Sequence, residues 1–252
     1  MVKHILVTGG SRGIGRAVAI LAGEHGWSVG VNYAGNDKAA AETVAAVKAA
    51  GGNAIAIRGD VAKEADVIAM FDATQQAFGP LDGLVNNAGV VAPTADLADM
   101  SLERLKTVFD TNILGSVLCA REAARRMSTR RGGQYEGRGG AIVNLSSAAA
   151  RLGSPNLFVD YATSKGAIDV LTLGLSKELG PEGIRVNAVR PGIIETDIHA
   201  SAGEPDRAAR LGPTVPLGRS GTATEVAEAI IWLLGDEASY VTGALLDVAG
   251  GR

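Results

Sequence analysis

Hydrophobic and polar positions follow two different periods along this chain. Short continuous runs of Val, Ile and Leu are typical of strands that are buried on both faces of a parallel sheet. Longer segments repeat their apolar residues every three to four positions, which indicates helices. The short runs predict seven strands, at residues 4–7, 28–31, 54–57, 83–85, 141–145, 185–189 and 244–248. The longer segments predict helices at residues 15–25, 37–50, 64–78, 102–127, 162–179 and 224–234.

The regular alternation of these strands and helices points to one fold class. Parallel strands joined by right-handed helical crossovers form a doubly wound α/β domain with helices on both faces of the sheet. No linker divides the chain and no internal repeat is present. We therefore predict a single domain over residues 1–252 with a seven-stranded parallel sheet.

Two segments interrupt the alternation. Residues 128–140 are rich in Gly and Arg and are predicted to form an exposed loop. The basic charge of this loop is interpreted as a solvated face, with a partner or anion site as the alternative. Residues 195–219 form a long connection with Gly, Pro and mixed charge, which is typical of a lid or binding loop.

Composition and charge exclude several classes of protein. Hydrophobic residues make up 46% of the 252 residues, so a large core is feasible, and the net charge of -3 argues against a nucleic-acid partner. One Cys and three scattered His residues predict neither an intramolecular disulfide nor a metal site. No run approaches the ~20 apolar residues of a membrane span. The apolar start is interpreted as a first strand, not a signal peptide, and the predicted location is cytoplasmic.

A glycine-rich turn follows the first predicted strand. Residues 8–15 read TGGSRGIG and lead directly into the first helix. Glycine lets the backbone approach a ligand closely, and the N-terminus of a helix offers free N–H groups to a phosphate. The turn is not a Walker loop, because no Gly-Lys-Ser/Thr follows, and Val18 breaks the plain G-x-G-x-x-G pattern. A tight corner is the alternative, but its place at the first strand favours a dinucleotide site.

The glycine turn and five further motifs, in order, resemble those of the short-chain dehydrogenase/reductase family. The turn matches the family's Thr-Gly-x-x-x-Gly-x-Gly fingerprint. The other motifs, each after a predicted strand or on a predicted helix, are residues 86–89 (NNAG), Asn112, Ser146 and Ser147, Tyr161 with Lys165, and Pro191 with Gly192. The resemblance covers essentially the whole chain and is strongest to the branch of ketoacyl reductases and glucose-dehydrogenase-like enzymes. It implies a Rossmann fold and an NAD(P)-dependent oxidoreductase.

The resemblance implies that Tyr161 is the general acid/base of the reaction. Tyr161 and Lys165 are four residues apart and share one helix face. A free phenol has a pKa of roughly 10, and a nearby ammonium is expected to lower that pKa. Tyr161 would then exchange a proton with the substrate oxygen as hydride moves to or from the cofactor. A surface contact is the alternative for an isolated pair of this kind.

Two further catalytic residues are implied by the family. Ser147 is expected to hydrogen-bond the reacting oxygen, with Ser146 as the alternative. Asn112 is expected to hold a water that connects Lys165 with solvent, or else to make a structural amide contact. The spacing between Ser147 and Tyr161 indicates one extra residue in the segment 151–159 that reshapes the pocket floor.

The family also implies a set of cofactor-binding residues at the strand ends. An ordinary helix cap is the alternative for Asp60. The full set is Gly9, Ser11, Arg12, Gly13, Ile14, Gly15, Asn32, Asp60, Val61, Asn87, Ala88, Gly89, Tyr161, Lys165, Pro191, Gly192, Ile194 and Thr196.

Two positions favour NADP(H) over NAD(H), although NAD(H) stays possible. An acidic residue at the end of the second strand would bind the ribose 2′-OH and repel a 2′-phosphate, but Asn32 stands there. Arg12 lies in the glycine turn, where the family often places a cation against the 2′-phosphate. A solvated turn residue is the alternative for Arg12.

The substrate is predicted only as a carbonyl compound or secondary alcohol. Pocket walls are expected from residues 148–159 and 195–211, where Arg151, His199 and Arg207 could meet an acidic group. Alternatives are an NAD-dependent sugar or polyol dehydrogenase, and a dinucleotide-binding regulator without turnover.

A homotetramer is also predicted. The long fourth helix and the Tyr161 helix would pack across one dyad, and strand 244–248 would lie near another. Gly166, Ala167 and Gly174 leave room for that close approach.

Overall fold

Seven parallel strands form one twisted sheet in the computed structural model, which describes residues 2–131 and 137–252. Together with two short strands outside this sheet, the strands of the described residues are β1 (His4–Val7), β2 (Ser28–Tyr33), β3 (Asn53–Arg58), β4 (Gly83–Asn86), β5 (Gly140–Leu145), β6 (Ile184–Pro191), β7 (Ile194–Glu195), β8 (Gly221–Thr222) and β9 (Leu245–Val248). The order in the sheet is β3-β2-β1-β4-β5-β6-β9, and β7 pairs separately with β8. The strand order reverses between β1 and β4, since β2 and β3 lie on one side of β1 and the later strands lie on the other, and such switch points are where ligands bind in doubly wound sheets.

Helices cover both faces of this sheet and enclose two layers of core. They are α1 (Gly13–Glu24), α2 (Asp37–Ala49), α3 (Glu64–Phe78), α4 (Leu102–Phe109), α5 (Ser116–Met127), α6 (Ala149–Leu152), α7 (Val159–Leu179), α8 (Ile198–Ser201), α9 (Arg207–Leu211) and α10 (Ala223–Leu234). Strand β1 shows why two layers form, because successive side chains of a strand point to opposite faces. Ile5 and Val7 join the cluster under α1 and α10, whereas Leu6 joins the cluster under α3 and α5. The predicted fold class, a doubly wound α/β domain, is confirmed.

The helix predicted at residues 102–127 is interrupted. A π-helical turn, Asp110–Gly115, separates α4 from α5. The wider turn places Asn112 in the interior, where the hydroxyl of Ser116 donates to its backbone oxygen at 2.8 Å. Gly115 packs so closely that a Cβ there would lie 2.7 Å from a methyl group of Val61. The apolar period of residues 102–127 does not reveal the turn, because it repeats every three to four residues on both sides.

Other differences lie in the connections. Helix α7 begins at Val159, three residues earlier than predicted, so that Tyr161 lies in its first turn. The long connection at residues 195–219 carries α8, α9 and a 3-10 turn, Gly212–Thr214. Of the predicted loop at residues 128–140, residues 132–136 lie outside the described residues. No helix in the described ranges is long and apolar enough to cross a membrane.

Candidate active site

The carboxyl ends of β1, β4, β5 and β6 open onto a cleft of about 610 Å³. Nearly all of the predicted site residues line it, from the glycine turn at one end to Tyr161 and Lys165 at the other. Gly15 and Asn112 do not line the cleft and lie buried behind it. The structure therefore brings together residues that are far apart in the sequence, and the two exceptions support the walls from behind.

The glycine turn is shaped by close backbone contacts. Gly9 has a φ of +62°, and a Cβ on it would lie 3.0 Å from the Cα of Ala88. A Cβ on Gly15 would lie 2.5 Å from the backbone oxygen of Gly9. Both positions thus need glycine for steric reasons. Gly15 is covered by the turn and packs against it, and its contact with a cofactor stays a prediction.

Thr8 and Asn87 lock the first and fourth strand ends together. The Thr8 hydroxyl accepts from the backbone N–H groups of Asn87 and Ala88, both at 2.9 Å. The amide of Asn87 donates to the backbone oxygens of Thr8 at 2.8 Å and Gly9 at 3.1 Å. Sequence reasoning quoted Thr8 in the motif but did not assign it a role. These four hydrogen bonds fix the glycine turn against the loop after β4, at the edge of the cleft.

Asn32 braces the same turn from the second strand. Its Oδ1 accepts from the N–H of Gly9 at 3.2 Å, and its Nδ2 donates to the backbone oxygen of Gly59 at 2.9 Å. The side chain is buried, so it acts mainly on the protein, although it also borders the cleft. The cleft continues past the end of β2 along residues 33–36, which sequence reasoning did not assign to the site.

Arg12 and Asp60 lie near the mouth of the cleft. Arg12 is the N-cap residue of α1, is exposed, and makes no side-chain cap hydrogen bond. Its guanidinium is therefore available to a ligand in the cleft. Asp60 accepts from the N–H of Ala62 at 3.0 Å, so it shapes its own turn in addition to lining the cleft. The alternative of a helix cap is wrong, because the N-cap residue of α3 is Lys63 and has no side-chain cap hydrogen bond, whereas the contact of Asp60 with a cofactor stays a prediction.

Tyr161 and Lys165 lie on one face of α7 at the catalytic end. The Lys165 Nζ is 5.5 Å from the centre of the Tyr161 ring and donates to the backbone oxygen of Leu145 at 2.6 Å. Burial lowers the pKa of Lys165 to about 8, against the opposing charge of Asp169. Burial also raises the pKa of Tyr161, and a hydrogen bond with Ser147 works in the other direction. The sequence-based expectation of a lowered phenol pKa is therefore wrong for this structure, because desolvation dominates.

The structure distinguishes the two serines after β5. Ser146 is buried, and its hydroxyl donates to the backbone oxygen of Lys165 at 3.1 Å, which ties β5 to α7. Ser147 is partly exposed in the cleft and bonds with Tyr161, while its Oγ accepts from the N–H of Ala149 at 3.1 Å. Ser147 is therefore the serine placed to meet a substrate oxygen.

Asn112 is fully buried, and its side-chain amide has protein partners. Its Oδ1 accepts from the N–H of Val90 at 2.8 Å, and its Nδ2 donates to the oxygen of Val90 at 2.9 Å and the hydroxyl of Ser164 at 3.1 Å. The amide thus joins the loop after β4 to α7, as the structural alternative expected. Gly89 keeps the space open between Asn112 and Lys165, since a Cβ there would lie 3.3 Å from Asn112 Oδ1 and 3.6 Å from Lys165 Nζ. The water relay stays a prediction.

The substrate end of the cleft is largely apolar. Its walls include Leu152, Phe158, Ile193, Ile198 and Ala202. Arg207 also lines the cleft, with its guanidinium 5.2 Å from the centre of the Phe158 ring and 3.2 Å from a carboxylate oxygen of Glu204. The predicted wall segments are therefore in place.

Arg151 and His199 are the other two basic residues predicted to meet an acidic substrate group. Arg151 lies outside the cleft lining and bonds with Asp247 and with the backbone oxygen of Arg252. The side chain of His199 lies outside the described part of the structure.

Comparison with known proteins gives consistent matches. The family model described as "Enoyl-(Acyl carrier protein) reductase" matches residues 9–252. The uncharacterized oxidoreductase YgfF of Escherichia coli is 53% identical over 98% of both chains. The 3beta-hydroxysteroid dehydrogenase 1 of Eggerthella lenta is 40% identical over 99% of this chain and 93% of its own. A short chain dehydrogenase from Burkholderia cenocepacia, solved in complex with NADP, has a TM-score of 0.88 and 34% identity, covering 99% of this chain and 97% of its own.

Proposed function

The chain belongs to the short-chain dehydrogenase/reductase family, and on that premise we propose that it moves hydride between NADP(H) and a carbonyl or secondary alcohol, with Tyr161 as general acid/base. The family is NAD(P)-dependent and acts on CH–OH and C=O groups. The observation that carries the proposal is the shared cleft, in which the glycine turn, Ser147, Tyr161 and Lys165 all line one cavity.

The residues at the turn end fit a dinucleotide. A Cβ on Gly9 would press against the backbone of Ala88, so glycine allows the turn and the loop after β4 to meet at the cleft. Gly13 and Ile14 at the start of α1 line the cleft, and the N–H groups of a helix start can bind a phosphate. Ser11, Gly13 and Ile14 would hold the pyrophosphate there, and residues 60–61 and 87–89 would flank the adenine and ribose groups. A bound nicotinamide dinucleotide supplies or accepts the hydride.

The catalytic end can hold and move the proton. Because burial raises the pKa of Tyr161, its phenol is protonated near neutral pH and can donate to a carbonyl oxygen. Ser147 would hydrogen-bond the same oxygen and fix its position. Lys165, held by the oxygen of Leu145, would stabilise the phenolate that forms.

We infer NADP(H) as the preferred cofactor. Arg12 is exposed at the mouth of the cleft, and Tyr33 at the end of β2 and Ala34, Gly35 and Asn36 after it line the cleft without a carboxylate among them. The next carboxylate along the chain, Asp37 at the start of α2, interacts with Tyr33 and does not line the cleft, so a 2′-phosphate would meet the cation Arg12 there. The NADP complex of the Burkholderia relative agrees with this assignment.

An apolar carbonyl compound is the substrate class that the walls favour. Leu152, Phe158, Ile193 and Ile198 offer few hydrogen-bond partners, whereas a sugar or polyol would need one for most of its hydroxyls. The relative named as a hydroxysteroid dehydrogenase has an apolar substrate of this general kind. Arg207 also lines the substrate end of the cleft, where its guanidinium could bind a polar substituent of the substrate.

Oxidation of NADPH against a panel of substrates tests this proposal. The panel contains a bulky apolar ketone, a ketoacyl thioester, an aldehyde and an aldose, and the reverse assay offers NAD⁺ with sugars and polyols. We expect turnover of the apolar ketones with NADPH. Faster oxidation of sugars with NAD⁺ would favour the sugar dehydrogenase instead. Tight NADPH binding without any turnover would favour a regulator.

We also propose a homotetramer. On α7, the exposed Val170 and Leu173 form an apolar face, and a Cβ added at Gly166 or Gly174 would meet nothing within 4 Å. A second copy could therefore approach α7 closely. Light scattering should give about four times the 25.6 kDa of one chain, and Val170→Glu should lower that mass. A single-chain mass for the wild type would contradict the proposal.

The cytoplasm is the location that we propose. Cys119, the one cysteine of the chain, is buried, and burial raises the pKa of its thiol to about 12. A single buried thiol forms no intramolecular disulfide, and chains without disulfides are typical of a reducing compartment. Fractionation of the native host, with detection in the soluble cytoplasmic fraction, tests the location.

A further inference from the structure

A buried ion pair lies directly behind the catalytic tyrosine. The Nε of Arg104 donates to Asp160 Oδ2 at 2.8 Å, and its Nη2 donates to Oδ1 at 3.2 Å. The side chains are 13% and 1% exposed, and neither residue lines the cleft. Two parallel bonds of this kind fix both distance and orientation. The pair therefore joins α4 rigidly to the first turn of α7.

Asp160 passes this constraint to the neighbouring residue. Its Oδ1 also accepts from the backbone N–H of Tyr161 at 2.8 Å. That N–H lies in the first turn of α7, where backbone donors have no partner within the helix. The carboxylate that Arg104 holds is thus the group that fixes the backbone at Tyr161.

Arg104 also reaches the loop after β4. Its Nη1 donates to the backbone oxygen of Pro93, and the N–H of Ala95 donates to the oxygen of Leu157 at 3.1 Å. The segment before α4 is thus attached to Arg104 through Pro93 and to the loop that leads into α7 through Ala95. Ser154 in that loop has a φ of +46°, which is unfavourable for a residue with a side chain. Long-range anchors therefore help to hold a path that local preference does not dictate.

The carboxyl group of Asp160 stays ionised at neutral pH. Burial would raise the pKa of Asp160, but hydrogen bonds from Arg104 and from the backbone of Tyr161 outweigh it, so the net pKa is lowered. Loss of Arg104 would leave a buried carboxylate without its cation, and the first turn of α7 would have to rearrange to hydrate it.

We propose that Arg104, acting through Asp160, is a positioning residue that holds Tyr161 in register with Ser147. The proposal rests on the proposed role of Tyr161 as acid/base. Because Arg104 is assigned no contact with substrate or cofactor, its substitution should change kcat and leave the affinity for substrate and cofactor unchanged.

The first test compares Arg104→Ala with Arg104→Lys in NADPH-dependent ketone reduction. We expect kcat to fall about 10- to 100-fold for Arg104→Ala, because small displacements of a reacting group have effects of that order. KM for the ketone and Kd for NADPH should not change. Arg104→Lys keeps the charge and one hydrogen bond, and should recover part of kcat. A wild-type kcat for Arg104→Ala would overturn the proposal.

A matched control separates positioning from general stability. Arg131 also makes two bonds to one carboxylate, that of Glu182, but this more exposed pair lies before the amino ends of β5 and β6, away from the cleft. Arg131→Ala should leave kcat unchanged. If Arg104→Ala does not fold, Asp160→Asn replaces it, since it keeps an oxygen for the Tyr161 N–H and removes the charge pair. An equal loss of kcat in Arg131→Ala would contradict a specific role.

A double-mutant cycle shows whether Arg104 acts through Tyr161. In the Tyr161→Phe background, Arg104→Ala should have no further effect on kcat, because the group that it positions is gone. A further loss equal to that in the wild-type background would overturn the inference while leaving the role of Tyr161 intact. Failure of the proposed function itself would appear differently, as near-normal activity of Tyr161→Phe alone.

Discussion

The two ends of the cleft are built in different ways. At the cofactor end the backbone itself lines the cavity, and the exposed cation Arg12 is free of cap bonds. At the catalytic end the important groups are side chains that are wholly or largely buried, namely Lys165, Asn112 and Asp160, and each has partners on another element. The shape of the cofactor end is determined by the path of the backbone, and that of the catalytic end by hydrogen bonds between buried side chains and neighbouring elements.

This difference indicates that binding and turnover can be changed separately. An exposed side chain at the cofactor end can be removed without leaving a buried group unpaired. At the catalytic end, removing one side chain leaves its hydrogen-bond partner buried and unpaired, so the neighbouring residues must rearrange. Substitutions at the first end should therefore alter the affinity for a cofactor, and those at the second end should alter the rate.

Tyr161→Phe should show the largest effect and tests the catalytic end directly. The change removes the hydroxyl that exchanges the proton and keeps the ring, so kcat should fall about 10²- to 10⁴-fold. NADPH affinity, measured by calorimetry, should stay the same because the glycine turn is untouched. Activity close to that of the wild type would refute the assignment of Tyr161. The distinction between a binding end and a catalytic end would then no longer hold.

Arg12→Ala should show an intermediate effect that is confined to the cofactor end. One charge-assisted hydrogen bond to a 2′-phosphate contributes roughly 1.5–3 kcal/mol, which corresponds to about 10- to 150-fold in Kd. Titration should show weaker NADPH binding, unchanged NADH binding and an unchanged kcat at saturating NADPH.

The control for this prediction is Arg16→Ala. Arg16 is an exposed arginine on α1, four residues farther along, which does not line the cleft. It should leave the Kd of both cofactors unchanged. Equal weakening of NADH and NADPH by Arg12→Ala would mean that Arg12 supports the turn or the pyrophosphate.

The smallest effect is expected from pH. Burial lowers the pKa of Lys165 to about 8, so its ammonium is present below that pH and is lost above it. If the ammonium stabilises the phenolate, kcat/KM for ketone reduction should fall about tenfold between roughly pH 7 and pH 9. Lys165→Met should abolish this limb. A profile that stays flat to high pH would show that the charge of Lys165 is not needed.

Much of the fold could be predicted because it depends on local patterns. A strand that is buried on both faces must be apolar along its length, and a helix must repeat its apolar residues at its own period, so both are visible in the residues themselves. The glycine turn is visible for a similar reason, since the steric demand at Gly9 excludes other residues. Nearly all of the site residues that the family motifs identified line the cleft, whereas other parts of its lining, such as residues 33–36, carry no motif.

Tertiary structure alone decided how the catalytic end is assembled. The apolar period could not show the π-helical turn that turns Asn112 inward, and no local feature of Arg104 predicts a partner 56 residues away. The direction of the Tyr161 pKa was also beyond the sequence, because it is set by how much water the folded chain removes from the phenol. Desolvation and pairing depend on all the elements that surround a group, whereas a period or a turn depends on its own few residues.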